Sequence, residues 1–85
     1  MLLEIVTPDK KVFEGEVESA TFPGNDGSFQ VLGDHAAMIS TLGDGDIKLI
    51  RDIDKKTEEV NFEVSGGVVE VRNNKVVVLA EKITE

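Results

Sequence analysis

The chain of 85 residues has no cysteine, no tryptophan and no tyrosine, and only one histidine and two prolines. Without cysteine there can be no disulfide and no thiolate metal site, so packing alone must hold a small core together. Catalysis also lacks most of its commonest side chains, with one histidine, four serines, no cysteine and no tyrosine to draw on. Basic charge is scarce as well. Nine lysines and arginines face seventeen acids, and the resulting net charge of −8 repels nucleic-acid phosphates and anionic lipid headgroups. No apolar run approaches the roughly 18 residues a membrane-spanning helix needs, and the N-terminus MLLEIVTPDKK lacks the basic-then-apolar layout of a secretory signal. A single domain over 1–85, in the cytoplasm and with proteins as partners, is the expectation.

What the chain does have is β-branched residues. Twelve valines, six isoleucines and five threonines favour strands, whose pleated surface suits side chains that are stiff at χ1. Leu3, Ile5 and Thr7 share one face of a first strand, which Pro8-Asp9-Lys10 closes. Val12 to Phe22 reads as one long strand in which Val17, Ser19 and Thr21 alternate with Glu16, Glu18 and Ala20. The five turn formers Pro23 to Gly27 read as a loop. Ser28 to Leu32 and Ile47 to Ile53 are further strands, with a charged turn at Asp54 to Thr57. Val60, Phe62 and Val64 alternate with polar residues, and Val69 and Val71 repeat the pattern. Asn73-Asn74 predicts a two-residue hairpin leading into Val76 to Ala80, since asparagine tolerates the positive φ required there. Asp34 to Leu42 is open: Asp34 can cap a short helix, and a loop followed by a strand fits equally well. Short strands separated by frequent turns predict an all-β sandwich.

Candidate sites are few. His35 lies in no catalytic motif, and a surface or interface position is expected of it. The loops around Asn25-Asp26-Gly27 and Gly43-Asp44-Gly45-Asp46 are rich in acid and glycine, yet neither matches the spacing of a calcium loop. Gly66-Gly67 is followed by no lysine and no helix, so a strand break or bulge is expected rather than a phosphate loop. No catalytic residue, cofactor or metal is assigned. The stretch His35 to Ser40, small-sided, apolar and flanked by Gly33 and Gly43, suits either the core or a protein interface.

These residues carry a resemblance. LEIVTPDKKVFEGEVESATFPGNDGSFQVLGDHA, followed after a gap by SGGVVEVRNNKVVVLAE, resembles the N-terminal domain of the ε subunits of F-type ATP synthases along nearly its whole length. The resemblance implies a ten-stranded sandwich of two five-stranded sheets, which does no chemistry. It fastens the γ subunit to the membrane ring of c subunits (the c-ring) in the central stalk, so that rotation driven by proton or sodium flow reaches the catalytic head. Carried over by position, the γ-facing residues are Thr7, His35, Ala36, Ala37, Met38, Ile39 and Ser40. The ring-facing residues are Asn25, Asp26, Gly27 and Ser28. The resemblance implies a peripheral place on the cytoplasmic face of the bacterial inner membrane, without lipid insertion. Where family members often read GHAP, this chain reads GDHAAMIS, adding a charge at Asp34 and removing a proline at Ala37. Many members continue into a two-helix hairpin. This chain stops at Glu85, and inhibition by an arm extended along γ is not expected of it. The competing reading is a free-standing acidic sandwich that binds a small ligand or calcium in its loops.

Overall fold

Alternation with period two runs through most of the chain, and the computed structural model, which describes residues 1–84, turns it into eight strands and no helix. They are β1 (Leu2–Val6), β2 (Lys11–Glu16), β3 (Ser19–Gly24), β4 (Gly27–Leu32), β5 (Met38–Leu42), β6 (Gly45–Ile53), β7 (Lys56–Arg72) and β8 (Lys75–Thr84). Asp34 to Leu42 thus resolves as a loop followed by a strand. Asp34 has φ 61°, and its N–H donates to the Asn74 side-chain oxygen at 2.9 Å, so it turns the chain instead of capping a helix.

The strands pair in the order β2-β1-β8-β7-β5-β3-β4, and β6 bridges β3 and β7. All pairings are antiparallel except β1 with β8, which is parallel. The path closes on itself. The first half of β7 pairs with β6 and its second half with β5, while β3 touches both β5 and β6. Folding the strands over in this way gives a body of 33 × 27 × 22 Å, whose shortest dimension suits two sheets stacked about 10 Å apart.

Eight strands replace the ten expected because β7 and β8 pass uninterrupted from one layer to the other. Their register steps from Ser65↔Lys82 to Gly67↔Ala80. The frame is the same on both sides of that step, with only Gly66 and Glu81 left unpaired between them, so both strands bend together at the corner and neither carries an extra residue. Gly66 and Gly67 adopt φ 69° and 145°. A Cβ on Gly67 would collide with the Leu79 carbonyl oxygen, so the corner needs glycine for closeness as well as for conformation.

Two further expectations are corrected. Val12 to Phe22 is two strands, broken at Val17-Glu18, where Val17 N–H donates to the Met1 carbonyl at 2.8 Å and Glu18 N–H to that of Ile50 at 2.7 Å. Each strand thereby joins a different layer, and Ala20 and Phe22 become the inward face of β3, with Thr21 only half-buried. Pro23 to Gly27 is likewise mostly strand. Only Asn25-Asp26 lie outside it, between the paired Gly24 and Gly27. The turns at Asp54-Lys55 and Asn73-Asn74 have positive φ at both residues, the conformation that matches the twist of a two-residue hairpin.

Inward residues from both layers make one core: Leu3, Ile5, Phe22, Val31, Ile47, Leu49, Val64, Val69, Val71, Val76 and Val78 are almost wholly buried. Each contributes about 1.5–3 kcal/mol by leaving water. At the rim Phe13 meets Phe62 edge-on at 5.9 Å, and the Arg51 guanidinium lies 5.5 Å from the Phe13 ring centre.

Candidate functional site

A strand that feeds the core with alternate residues presents the others to solvent, and in β1, β8, β7 and β5 many of those others are apolar. The register aligns them into rows across the sheet. One row is Val6, Leu79, Val68 and Thr41, and the next is Glu4, Val77, Glu70 and Ile39. Ile39 is 71% exposed and Leu79 57%, while Val6, Val68 and Val77 are half-buried. An apolar band therefore crosses an outer face that no other part of the described residues covers. Toward β2 the same face turns ionic, where Lys11 reaches Glu4 at 3.0 Å and Glu14 at 3.3 Å. The Lys11 ammonium holds the Glu4 carboxyl below its ordinary pKa, and the two carboxylates raise that of Lys11.

Two open hollows border the band. One of about 350 Å³ is lined by Ala37, Met38, Ile39, Glu70, Val71 and Arg72; another of about 270 Å³ is lined by Val6, Thr7, Pro8, Leu79, Ala80 and Glu81. Thr7 and the His35 to Ser40 stretch, far apart in sequence, thus lie at the margins of one face. Within the stretch, alternation separates the roles. Ile39 points outward, whereas Met38 packs against the core and Ser40 sits half-buried opposite buried Val69. Ala36 and Ala37 are exposed, and His35 Nδ1 lies 2.7 Å from the Ala36 carbonyl oxygen.

The tip Asn25 to Ser28 is exposed at the end of the β3–β4 hairpin. Gly27 has φ 117° and open space where a Cβ would be. The tip is tied to the apolar face: Asn25 Nδ2 donates to Thr41 Oγ1 at 2.7 Å, and Gly43 N–H to the Pro23 carbonyl at 2.8 Å. The two groups of candidate residues are therefore neighbours joined through β5.

Sequence reasoning missed Val6, Val68, Val77 and Leu79. A signal was present in Val76 to Ala80, five apolar residues without alternation, which marks a strand apolar on both faces. Among the described residues, no group of three histidine, cysteine, aspartate or glutamate side chains converges as a metal site would require.

A stiff all-β body with one uncovered apolar face and an exposed hairpin tip has the build of a docking module. The chain matches over residues 1–85 the family described as the ATP synthase, Delta/Epsilon chain, beta-sandwich domain, and it belongs to that family. It is 40% identical to an ATP synthase epsilon chain of Chlorobium limicola, covering 96% of this chain and 90% of that one. It is 39% identical to the epsilon chain of Salinibacter ruber, covering 98% of this chain but only 59% of the longer relative. Its fold is similar to a chain of the Tetrahymena thermophila mitochondrial ATP synthase central stalk and c-ring structure, with TM-score 0.78 and 21% identity over 99% of this chain and 65% of that one. A chain of the Euglena gracilis mitochondrial ATP synthase gives TM-score 0.81 and 21% identity over 96% of this chain and 51% of that one.

Proposed function

We propose that this chain is a rotor subunit of the central stalk of an F-type ATP synthase, where it binds γ and the membrane c-ring and couples ion-driven rotation to ATP synthesis without catalysing a reaction itself. The observation that carries the reading is the uncovered apolar band, with Thr7 at one margin and the His35 to Ser40 stretch at the other. In this assignment γ lies against that face, touching Thr7, His35, Ala36, Ala37, Met38, Ile39 and Ser40. The ring loops meet the tip Asn25, Asp26, Gly27 and Ser28. The ion is a proton or sodium, and the subunit is held at the cytoplasmic face of the bacterial membrane by its partners rather than by lipid.

Rigidity suits the task, because close-packed interiors have low compressibility and pass strain onward. The β3–β4 tip is bonded directly to β5, so a push on the ring-facing residues reaches the γ-facing strand through Asn25 and Thr41 rather than through a loose loop.

Ile39→Glu tests the reading, since its side chain is exposed in the isolated chain and would be desolvated against γ. The variant should melt like the parent and bind γ weaker by about 2 kcal/mol or more in calorimetry or co-purification. Unchanged γ binding would remove this face from the interface.

A further inference from the structure

The two outer strands of the sheet are protected very differently. At one end, β2 carries Lys11, Glu14 and Glu16, and its pairing with β1 is disturbed by a register shift at Ile5/Val6. Charges and bulges of this kind keep a strand edge from recruiting another strand. At the other end β4, Gly-Ser-Phe-Gln-Val-Leu, carries no charge and pairs with β3 without a shift.

The hairpin register shows which of its backbone groups are free. The pair Gly24↔Gly27 closes a two-residue turn, so its members exchange hydrogen bonds, as do Phe22↔Phe29 and Ala20↔Val31. The intervening pair Pro23↔Ser28 faces apart, and the Pro23 carbonyl indeed accepts from Gly43 on the far side. The N–H and C=O groups of Ser28, Gln30 and Leu32 therefore point away from β3. Of these, only the Leu32 carbonyl has a backbone partner among the described residues, the His35 N–H at 3.2 Å. Phe29 and Val31 turn inward, while Ser28, Gln30 and Leu32 are exposed.

We propose that the free edge of β4 is a strand-addition site for an extended segment of a partner protein that carries basic residues at both ends. The chemistry of the ends selects this occupant. Asp26 precedes the strand and Asp34 follows it, both exposed, so each end of an added strand meets a carboxylate. A second copy of this chain is a poor occupant: antiparallel pairing of two β4 strands sets Asp26 of one near Asp34 of the other, between bodies that each carry a net charge of −8. The added strand would gain its affinity from main-chain hydrogen bonds and would place an apolar side chain beside Leu32. The site shares Asp26 and Ser28 with the ring-facing tip, but its test uses neither γ nor the ring, so its outcome is decided apart from the rotor reading.

The test uses the isolated full chain and two synthetic peptides that alternate threonine and valine over six residues, one ending in lysines and the other in glutamates. Amide hydrogen exchange is followed by NMR. With the lysine-ended peptide at ten times its dissociation constant, the amides of Ser28, Gln30 and Leu32 should exchange about tenfold slower, and the glutamate-ended peptide should leave them unchanged. The double variant D26N/D34N should lose the preference between the peptides. Gln30→Pro removes an outward N–H without touching a bond to β3, and should abolish binding. N-methylation of the peptide's edge-facing amides should do the same without altering the protein. Slowing along β2, equal slowing by both peptides, slowing without peptide as the protein is concentrated, binding that survives the methylated amides, or no slowing would each overturn the proposal.

Discussion

The two halves of β7 obey the same alternation and meet opposite fates. From Lys56 to Ser65 the even positions Val60, Phe62 and Val64 turn inward, and the outward Glu59, Asn61, Glu63 and Ser65 are polar and exposed. From Gly67 to Arg72 the odd positions Val69 and Val71 turn inward, and the outward set begins with Val68. The phase reverses at Gly66-Gly67, where positive φ at both residues turns the strand over while its register with β8 keeps the same frame. The first half is finished once water covers its outer side. The second half, with β8 and β5 beside it, leaves an apolar surface that no other described residue covers. A single strand can thus be covered by water at one end and contribute to an exposed apolar face at the other.

The sharpest way to separate the halves is to empty the core side of the first. Phe62→Ala removes a buried ring that packs edge-on against Phe13 and should cost about 3–5 kcal/mol in urea unfolding, with little effect on what the other half binds. Next comes the junction. Gly67→Ala drives a methyl into the Leu79 carbonyl and should cost roughly 3 kcal/mol, whereas Gly66→Ala meets only the movable carboxylate of Glu81 and should cost about 1–2 kcal/mol for its positive φ. If the two glycine variants melt alike, the corner is not held by close approach at Gly67. On the outer side of the second half, Leu79→Thr should change unfolding by less than about 0.5 kcal/mol, because the residue is already in water. A larger loss would mean that the apolar band supports the fold and is no free surface.

The smallest effect belongs to the outer side of the first half. The Asn61 hydrogen bond, with help from the Lys48 ammonium, holds the Glu59 carboxyl below its ordinary pKa of 4.5. A group whose pKa is lowered by folding stabilises above its unfolded value, and that contribution is lost as pH falls below 4.5 through the lowered one. Glu18 acts with the opposite sign. Its hydrogen bond with Asp52 raises its pKa above 4.5, so its contribution is complete below that value and lost as pH rises through the raised one. Stability measured against pH should therefore lose a small acid-side decline in Glu59→Gln, and Glu18→Gln should be more stable than the parent near neutral pH. Superimposable pH profiles would show both carboxyls to be fully solvated and uncoupled.

Much of this was legible along the chain. The inward sets of β1, β6 and β7, the Asn73-Asn74 turn and the disturbance at Gly66-Gly67 all follow from alternation and from the φ values that asparagine and glycine tolerate. These are local properties, set by a residue and its near neighbours. The break at Val17-Glu18 was hidden because its two hydrogen bonds reach Met1 and Ile50, which nothing nearby announces. The pull of Pro23-Gly24 into β3 was hidden for a similar reason, since Gly24 is held by Gly27 on one side and Leu42 on the other.

What the sequence determined by itself, then, is an acidic, cysteine-free all-β module and, through a long stretch of family likeness, the domain to which it belongs. Only the tertiary structure decided which residues share a surface. Leu79 lies beside Val6 because β8 pairs in parallel with β1 across most of the chain, and beside Val68 because β7 has turned its corner. Strand pairing over such distances is chosen by the packing of the whole core, where each strand's inward face must fit those of the others at once. No window of sequence contains that constraint, and the exposed apolar face is its by-product.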